Sequence, residues 1–175
     1  MQTAQVAPVA SPEKLEMDAA RMQQFQRKMR EEQDLSRGAF ASLGAAALGA
    51  CLWALVTVLT QFQIGWMAVG VGFMVGYAMR TFGRGIDKVF GYTAAIMALL
   101  GCLAGNLLSV CIVLADQTDT SAMAILTGLD FSAITGLMMS TFQPMDLIFY
   151  GLALYEGYRF SFRKLSDKEV RALMA

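Results

Sequence analysis

The sequence predicts an all-α, polytopic membrane protein with four transmembrane helices, both termini in the cytoplasm and an amphipathic helix before the first span. Two observations support this prediction. Hydrophobic residues make up 56% of the 175 residues and charged residues only 16%, whereas about 25% is usual in a soluble domain. No charged residue occurs in the 42 positions between Arg37 and Arg80 or in the 27 positions between Lys88 and Asp116. This composition excludes an ordinary soluble enzyme and a disordered chain.

The side-chain inventory argues against metal and cofactor chemistry. The chain contains no histidine, so the commonest metal ligand and proton shuttle is absent. Cys102 and Cys111 are nine residues apart and therefore face opposite sides of a helix; together with Cys51 they lie in apolar segments, where we expect them to be small packing residues. We expect no enzymatic activity, no cofactor, no metal and no nucleic-acid partner.

The polar N-terminal segment is predicted to contain a flexible tail at 1–10 and a cytoplasmic amphipathic helix at 11–37. Ser11 followed by Pro12 is typical of a helix start. Apolar residues then recur at spacings of three and four, as on one face of a helix. They are Leu15, Ala19, Met22, Phe25 and Met29. The pattern leaves open whether this face lies on lipid, pairs with a second copy or docks on the cytoplasmic loops.

The uncharged segments set the positions of the spans, because about 20 helical residues cross a bilayer core. We expect a transmembrane domain at 38–163 and a cytoplasmic tail at 164–175. The four spans are predicted at about 39–60, 63–80, 90–115 and 145–162. The segment 116–144 between the last two is apolar and is predicted to form two short interfacial or re-entrant helices on the outer side.

The distribution of charge predicts the orientation. In the four-span arrangement all 14 Lys and Arg fall on one side, and loops rich in these residues remain in the cytoplasm. The other side carries four acidic residues and no basic residue. These are Asp116, Asp119, Asp130 and Asp146. The zero net charge of the chain is therefore the sum of −4 outside and, from 14 basic and 10 acidic residues, +4 inside.

Small residues spaced four apart predict where the helices pack, because helices in lipid associate through close contact at small side chains. The candidate packing residues are Ala41, Ala45, Gly49, Gly72, Gly76, Gly101 and Gly105. Contact within one bundle and self-association between subunits both fit this pattern.

Few polar residues occur at membrane depth, and such residues are functional candidates because burying them in lipid is costly. Glu156 and Arg159 are one turn apart in the last span, and Asn106 lies in the third. A structural ion pair and an interhelical hydrogen bond are the simple interpretations, and an ion or proton path is the alternative.

The loop between the second and third spans is short, basic and rich in glycine. Its residues Arg80, Arg84 and Lys88 are candidates for contact with a lipid phosphate. A simple basic turn on the cytoplasmic side is the other interpretation.

The segments 65–80, 90–95, 100–108 and 146–153 together resemble small bacterial four-helix inner-membrane proteins of uncharacterised function. The resemblance implies a bacterial inner-membrane location and brings no known active site. We expect a structural or accessory subunit of a membrane assembly, whose partners are the lipid bilayer and further copies or other membrane proteins. The alternative is a small oligomeric channel or transporter that uses Glu156 and Asn106.

Overall fold

The computed structural model describes residues 12–60, 62, 65–164, 169 and 171, with side chains described from residue 19. The chain divides into two units, residues 1–32 with 164–175 and residues 33–163. All regular structure in the described ranges is helical. The predicted tail at 1–10, the Ser11 helix cap and most of the tail at 164–175 lie outside the described residues.

The first helix, α1, runs over Pro12–Glu31 and is shorter than the predicted helix at 11–37. The difference arises at Asp34. Its carboxylate accepts a hydrogen bond from the backbone N–H of Arg37 at 3.0 Å, which is the geometry of a helix N-cap. A new helix therefore starts at Leu35, and the amphipathic segment and the first apolar helix are separate elements.

The described residues of the 33–163 unit contain six α-helices, and each segment predicted as a span is helical over most of its length. The helices are α2 (Leu35–Thr60), α3 (Met67–Ala78), α4 (Lys88–Thr118), α5 (Ala122–Gly128), α6 (Phe131–Thr141) and α7 (Pro144–Phe160). A π-helical turn over Met79–Gly83 continues α3. The outer segment predicted at 116–144 contains the two short helices α5 and α6, with a bend of 117° between them.

Length and composition identify α2 and α4 as helices that can cross a membrane. The bent pair of α5 and α6 adds a third candidate if the two are counted as one span. The remaining helices are shorter. α3 has 12 residues, extended by the 5 of the π turn, and α7 has 17.

The core of this unit lies around α4, which contacts α2, α3 and α7. Small residues fill much of it: Ala94 and Ala98 of α4 and Ala153 of α7 are fully buried. Most large apolar residues of α2 point outward: Phe40 and Leu59 are 76% and 74% exposed, whereas Trp53 is buried. Small residues inside and large apolar residues outside are what helix packing in lipid favours.

Most of the predicted packing glycines lie where two helix backbones meet. A Cβ atom at Gly72 would be 2.6 Å from the carbonyl oxygen of Ala153, and one at Gly76 would be 2.9 Å from that of Gly157. α3 and α7 therefore touch backbone to backbone, and any larger side chain at Gly72 or Gly76 would force them apart.

Glycines also allow close contact between α4 and α2. A Cβ atom at Gly101 would be 3.1 Å from the Cβ of Ala46, and one at Gly105 would be 3.2 Å from the Cα of Ala50. Gly49 faces the side chain of Val71 on α3. The predicted packing glycines of α2, α3 and α4 thus contribute to contacts within a single chain. Ala45 is half-buried and packs against the core, and it borders a groove together with the half-buried Ala41.

We expect Gly72→Leu to lower the unfolding free energy by about 1–3 kcal/mol, because the new side chain overfills the contact with α7. SDS-induced unfolding in mixed micelles measures this change. Gly70→Leu is the matched control, since a Cβ atom there meets no atom within 4 Å. Equal effects of the two substitutions would contradict the role assigned to Gly72.

Candidate polar site in the helical bundle

A buried hydrogen bond between two polar side chains joins α4 to α7. The side-chain amide of Asn106 donates a hydrogen bond to the hydroxyl oxygen of Tyr150, with 3.2 Å between nitrogen and oxygen. Asn106 is 1% exposed and Tyr150 8%. The structure thus places Asn106 in an interhelical hydrogen bond, which satisfies a polar group that lipid could not.

Sequence reasoning did not identify Tyr150 as the partner, because tyrosines near the ends of a span usually indicate the membrane interface. The sequence does contain a pattern that indicates its inward orientation. Tyr150, Ala153 and Gly157 recur at spacings of three and four, which places them on one face of a helix, and all three are buried. A tyrosine on the small-residue face of a span therefore points inward.

A cavity of about 280 Å³ lies between the C-terminal part of α2, the C-terminal half of α4, and α6. Valine and leucine side chains line part of it, and four polar residues line the rest. The polar residues are Thr57, Ser109, Gln117 and Thr141. The cavity has room for several water molecules.

The hydrogen bonds of the lining residues determine which donors and acceptors the cavity presents to a solute. Ser109 donates its hydroxyl proton to the carbonyl of Gly105 at 2.7 Å, and Thr141 donates to the carbonyl of Leu137 at 3.0 Å, so both present oxygen lone pairs as acceptors. Thr57 is 8% exposed, and its hydroxyl has no hydrogen-bond partner within the described part of the chain. The cavity can therefore hold water or a small solute that both donates and accepts hydrogen bonds.

Glu156 and Arg159 lie on α7 but do not pair. Arg159 donates to the hydroxyl of Tyr155, and its guanidinium lies 5.6 Å from the centre of that ring. Glu156 is half-buried, and no Lys or Arg in the ranges that the structure describes forms a salt bridge with it. Six residues separate Glu156 from Tyr150, about 9 Å along the helix, so Asn106 and Glu156 do not share a site.

In the basic loop, Arg80 is half-buried and the other two basic residues are exposed. The guanidinium of Arg80 lies 6.0 Å from the centre of the Tyr77 ring. Arg84 is exposed and has a left-handed backbone with φ of 49°, and its N–H donates to the carbonyl of Arg80. Lys88 is exposed at the first turn of α4. The three side chains are thus available to an anion, but no contact unites them into one site.

Hydrogen bonds join this loop to the first and last residues of the 33–163 unit. Gln33 donates to the carboxylate of Asp87 at 2.6 Å and accepts from the N–H of Ile86 at 3.3 Å. The N–H of Arg163 donates to the carbonyl of Gly85 at 3.0 Å. Nothing in the local sequence around Gln33 indicates this role, because its partners are more than 50 residues away.

A double-mutant cycle tests the contact between α4 and α7. We expect Asn106→Leu and Tyr150→Phe to be coupled by about 0.5–1.5 kcal/mol, the range found for interhelical hydrogen bonds in membranes. The measurement is the unfolding free energy of the wild type, both single variants and the double variant in mixed micelles. A coupling energy of zero would show that the hydrogen bond adds no stability.

A comparison with known protein families, curated proteins and solved structures finds no match for this chain. The chemistry of the candidate sites is therefore the starting point for its function. That chemistry comprises a satisfied polar contact between α4 and α7, a small polar cavity, a half-buried carboxylate and a basic loop.

Proposed function

We propose that the chain is an integral membrane protein that crosses the bilayer four times, through α2, α3 with its π turn, α4 and α7. α3 with its π turn and α7 each comprise 17 residues, or about 26 Å of helix, which reaches the lower end of the range that spans a bilayer core. Both pack against α4, one of the two longest apolar helices. The distribution of Lys and Arg supports cytoplasmic termini, and the location proposed is a bacterial inner membrane.

Within that membrane the protein acts as a structural or accessory subunit of a larger assembly. The observation that carries this proposal is the backbone-to-backbone packing at Gly72, Gly76, Gly101 and Gly105. Such contacts make the bundle rigid, and the buried hydrogen bond between Asn106 and Tyr150 holds α4 against α7. A bundle of this kind is suited to supporting neighbouring subunits.

A small oligomeric channel or transporter is the second candidate, and the polar cavity is the observation that favours it. Thr57, Ser109 and Gln117 line the cavity, and Ser109 is one turn from Asn106. These groups would form the outer part of a polar path. Glu156 would be its inner ionisable group.

Two measurements separate these functions. For a structural subunit, the complex extracted in mild detergent is expected to exceed the 19.0 kDa of one chain, and reconstituted liposomes are expected to show no proton or cation flux. A flux that falls in Glu156→Gln and persists in Tyr155→Phe would favour the transporter instead. A 19.0 kDa species without flux would contradict both functions.

Thiol labelling tests the topology in a background with Cys51, Cys102 and Cys111 replaced by alanine. Cysteine introduced by Thr118→Cys is expected to react with an impermeant reagent from the outer face alone. Arg84→Cys is its counterpart and is expected to react from the cytoplasmic face alone, because it lies at the opposite end of α4. Labelling of both positions from one face would exclude the four-span arrangement.

A further inference from the structure

An apolar groove of about 710 Å³ runs between α2 and the helix formed by α3 and its π turn. Ala41, Gly44 and Ala45 line the α2 side, and Phe73 and Tyr77 line the α3 side. Gly44 is exposed, and a Cβ atom there would meet no atom within 4 Å. The small residues of α2 thus leave this apolar groove open on the surface of the bundle.

Arginines stand at one end of this groove on both of its sides. On α2, Arg37 precedes Ala41 by four residues and Gly44 by seven, so all three share one face of the helix. Its partner Asp34 lies at 3.1 Å, yet the Arg37 side chain is 80% exposed and keeps donors free for a further partner.

Arginines also follow the groove-lining residues on the side of α3 and its π turn. Arg80 lies three residues after Tyr77, and Arg84 lies three residues after Thr81, which itself lines the groove. Arg80 is half-buried and Arg84 exposed. Three arginines therefore follow or precede groove-lining residues by three or four positions at the end that the proposed topology places at the cytoplasmic surface. The guanidinium of Arg80 lies 6.0 Å from the centre of the Tyr77 ring, which lines the groove.

The apolar groove and the arginines at its end match the acyl chain and the phosphate of a phospholipid. A long groove with apolar walls suits an acyl chain, and arginine binds phosphate oxygens through paired N–H donors. The basic end selects a lipid with net negative charge, because clustered Lys and Arg at the cytoplasmic surface attract anionic headgroups. A second copy of this chain would instead bring its own arginines toward this cluster, and like charges repel.

We propose that the groove binds one anionic phospholipid of the cytoplasmic leaflet, with an acyl chain along Ala41, Gly44 and Tyr77 and the phosphate at Arg37, Arg80 and Arg84. This inference rests on the proposed membrane topology and adds a ligand to it. Bound lipid would fill the surface between α2 and α3.

Native mass spectrometry of the full chain in mild detergent, with equal amounts of phosphatidylglycerol and phosphatidylcholine, tests the site. The wild type is expected to retain one phosphatidylglycerol in preference to phosphatidylcholine. Gly44→Leu is expected to weaken this binding about threefold, because leucine occupies part of the groove and removes dispersion contacts with the acyl chain. Gly151→Leu on α7 is the matched control, since its Cβ atom also meets no atom within 4 Å, and it should leave binding unchanged.

Charge variants test the other end of the groove. Neutralising each arginine, as Arg37→Gln, Arg80→Gln or Arg84→Gln, is expected to weaken phosphatidylglycerol binding about fivefold. The single variant Arg27→Gln removes the same charge from α1 and serves as the control. An equal loss in this control would show attraction by overall charge and overturn the site.

The remaining outcomes are equally decisive. Equal retention of both lipids, or unchanged binding by Gly44→Leu, would overturn the proposal. Separation of an oligomer into single chains by Gly44→Leu, with lipid retained, would make the groove an interface between copies instead. None of these results changes the labelling pattern at Thr118 and Arg84, so failure of the lipid site is distinguishable from failure of the topology.

Discussion

Close approach of helix backbones is the constraint on which the rest of this structure depends. In lipid, apolar surface gains little from being buried, so helices associate through dense contact and hydrogen bonds. Gly72 and Gly76 allow α3 to touch α7, and Gly101 and Gly105 allow α4 to touch α2. Many large apolar residues are directed outward, where lipid can solvate them. Glycine and alanine fill the closest helix contacts, and Trp53, Val71, Val75, Met79 and Phe90 complete the buried core.

The same constraint determines which polar residues can be buried. A polar side chain inside such a bundle must find its partner there, because no water replaces it. Asn106 does so with Tyr150, and the hydroxyl of Ser42 does so with the carbonyl of Val75. In the described part of the chain, the indole N–H of Trp53 and the hydroxyl of Thr57 depart from this rule, and Thr57 does so beside a cavity large enough for water.

The two ends of residues 33–163 are built differently. At one end, Gln33, Asp34 and Arg163 bind the loop between α3 and α4 through side-chain and backbone hydrogen bonds, and arginines border the apolar groove. At the other end, α5 and α6 contact α4 but bury none of their residues. A fastened basic end and a loosely attached apolar end fit a subunit that meets anionic lipid on one side and the membrane interface on the other.

The sequence alone determined the helical class, the approximate position of each apolar helix and the small residues at their contacts. Charge-free segments and spacings of four are local properties, so a linear pattern reveals them. Only the tertiary structure decided that Asn106 donates a hydrogen bond to Tyr150. It also decided that Arg159 donates to Tyr155 and forms no salt bridge with Glu156. The hydrogen bond of Gln33 to a loop more than 50 residues away likewise depends on the tertiary structure. These pairings depend on how each helix is rotated about its axis against its neighbours, and the packing of the whole bundle sets that rotation.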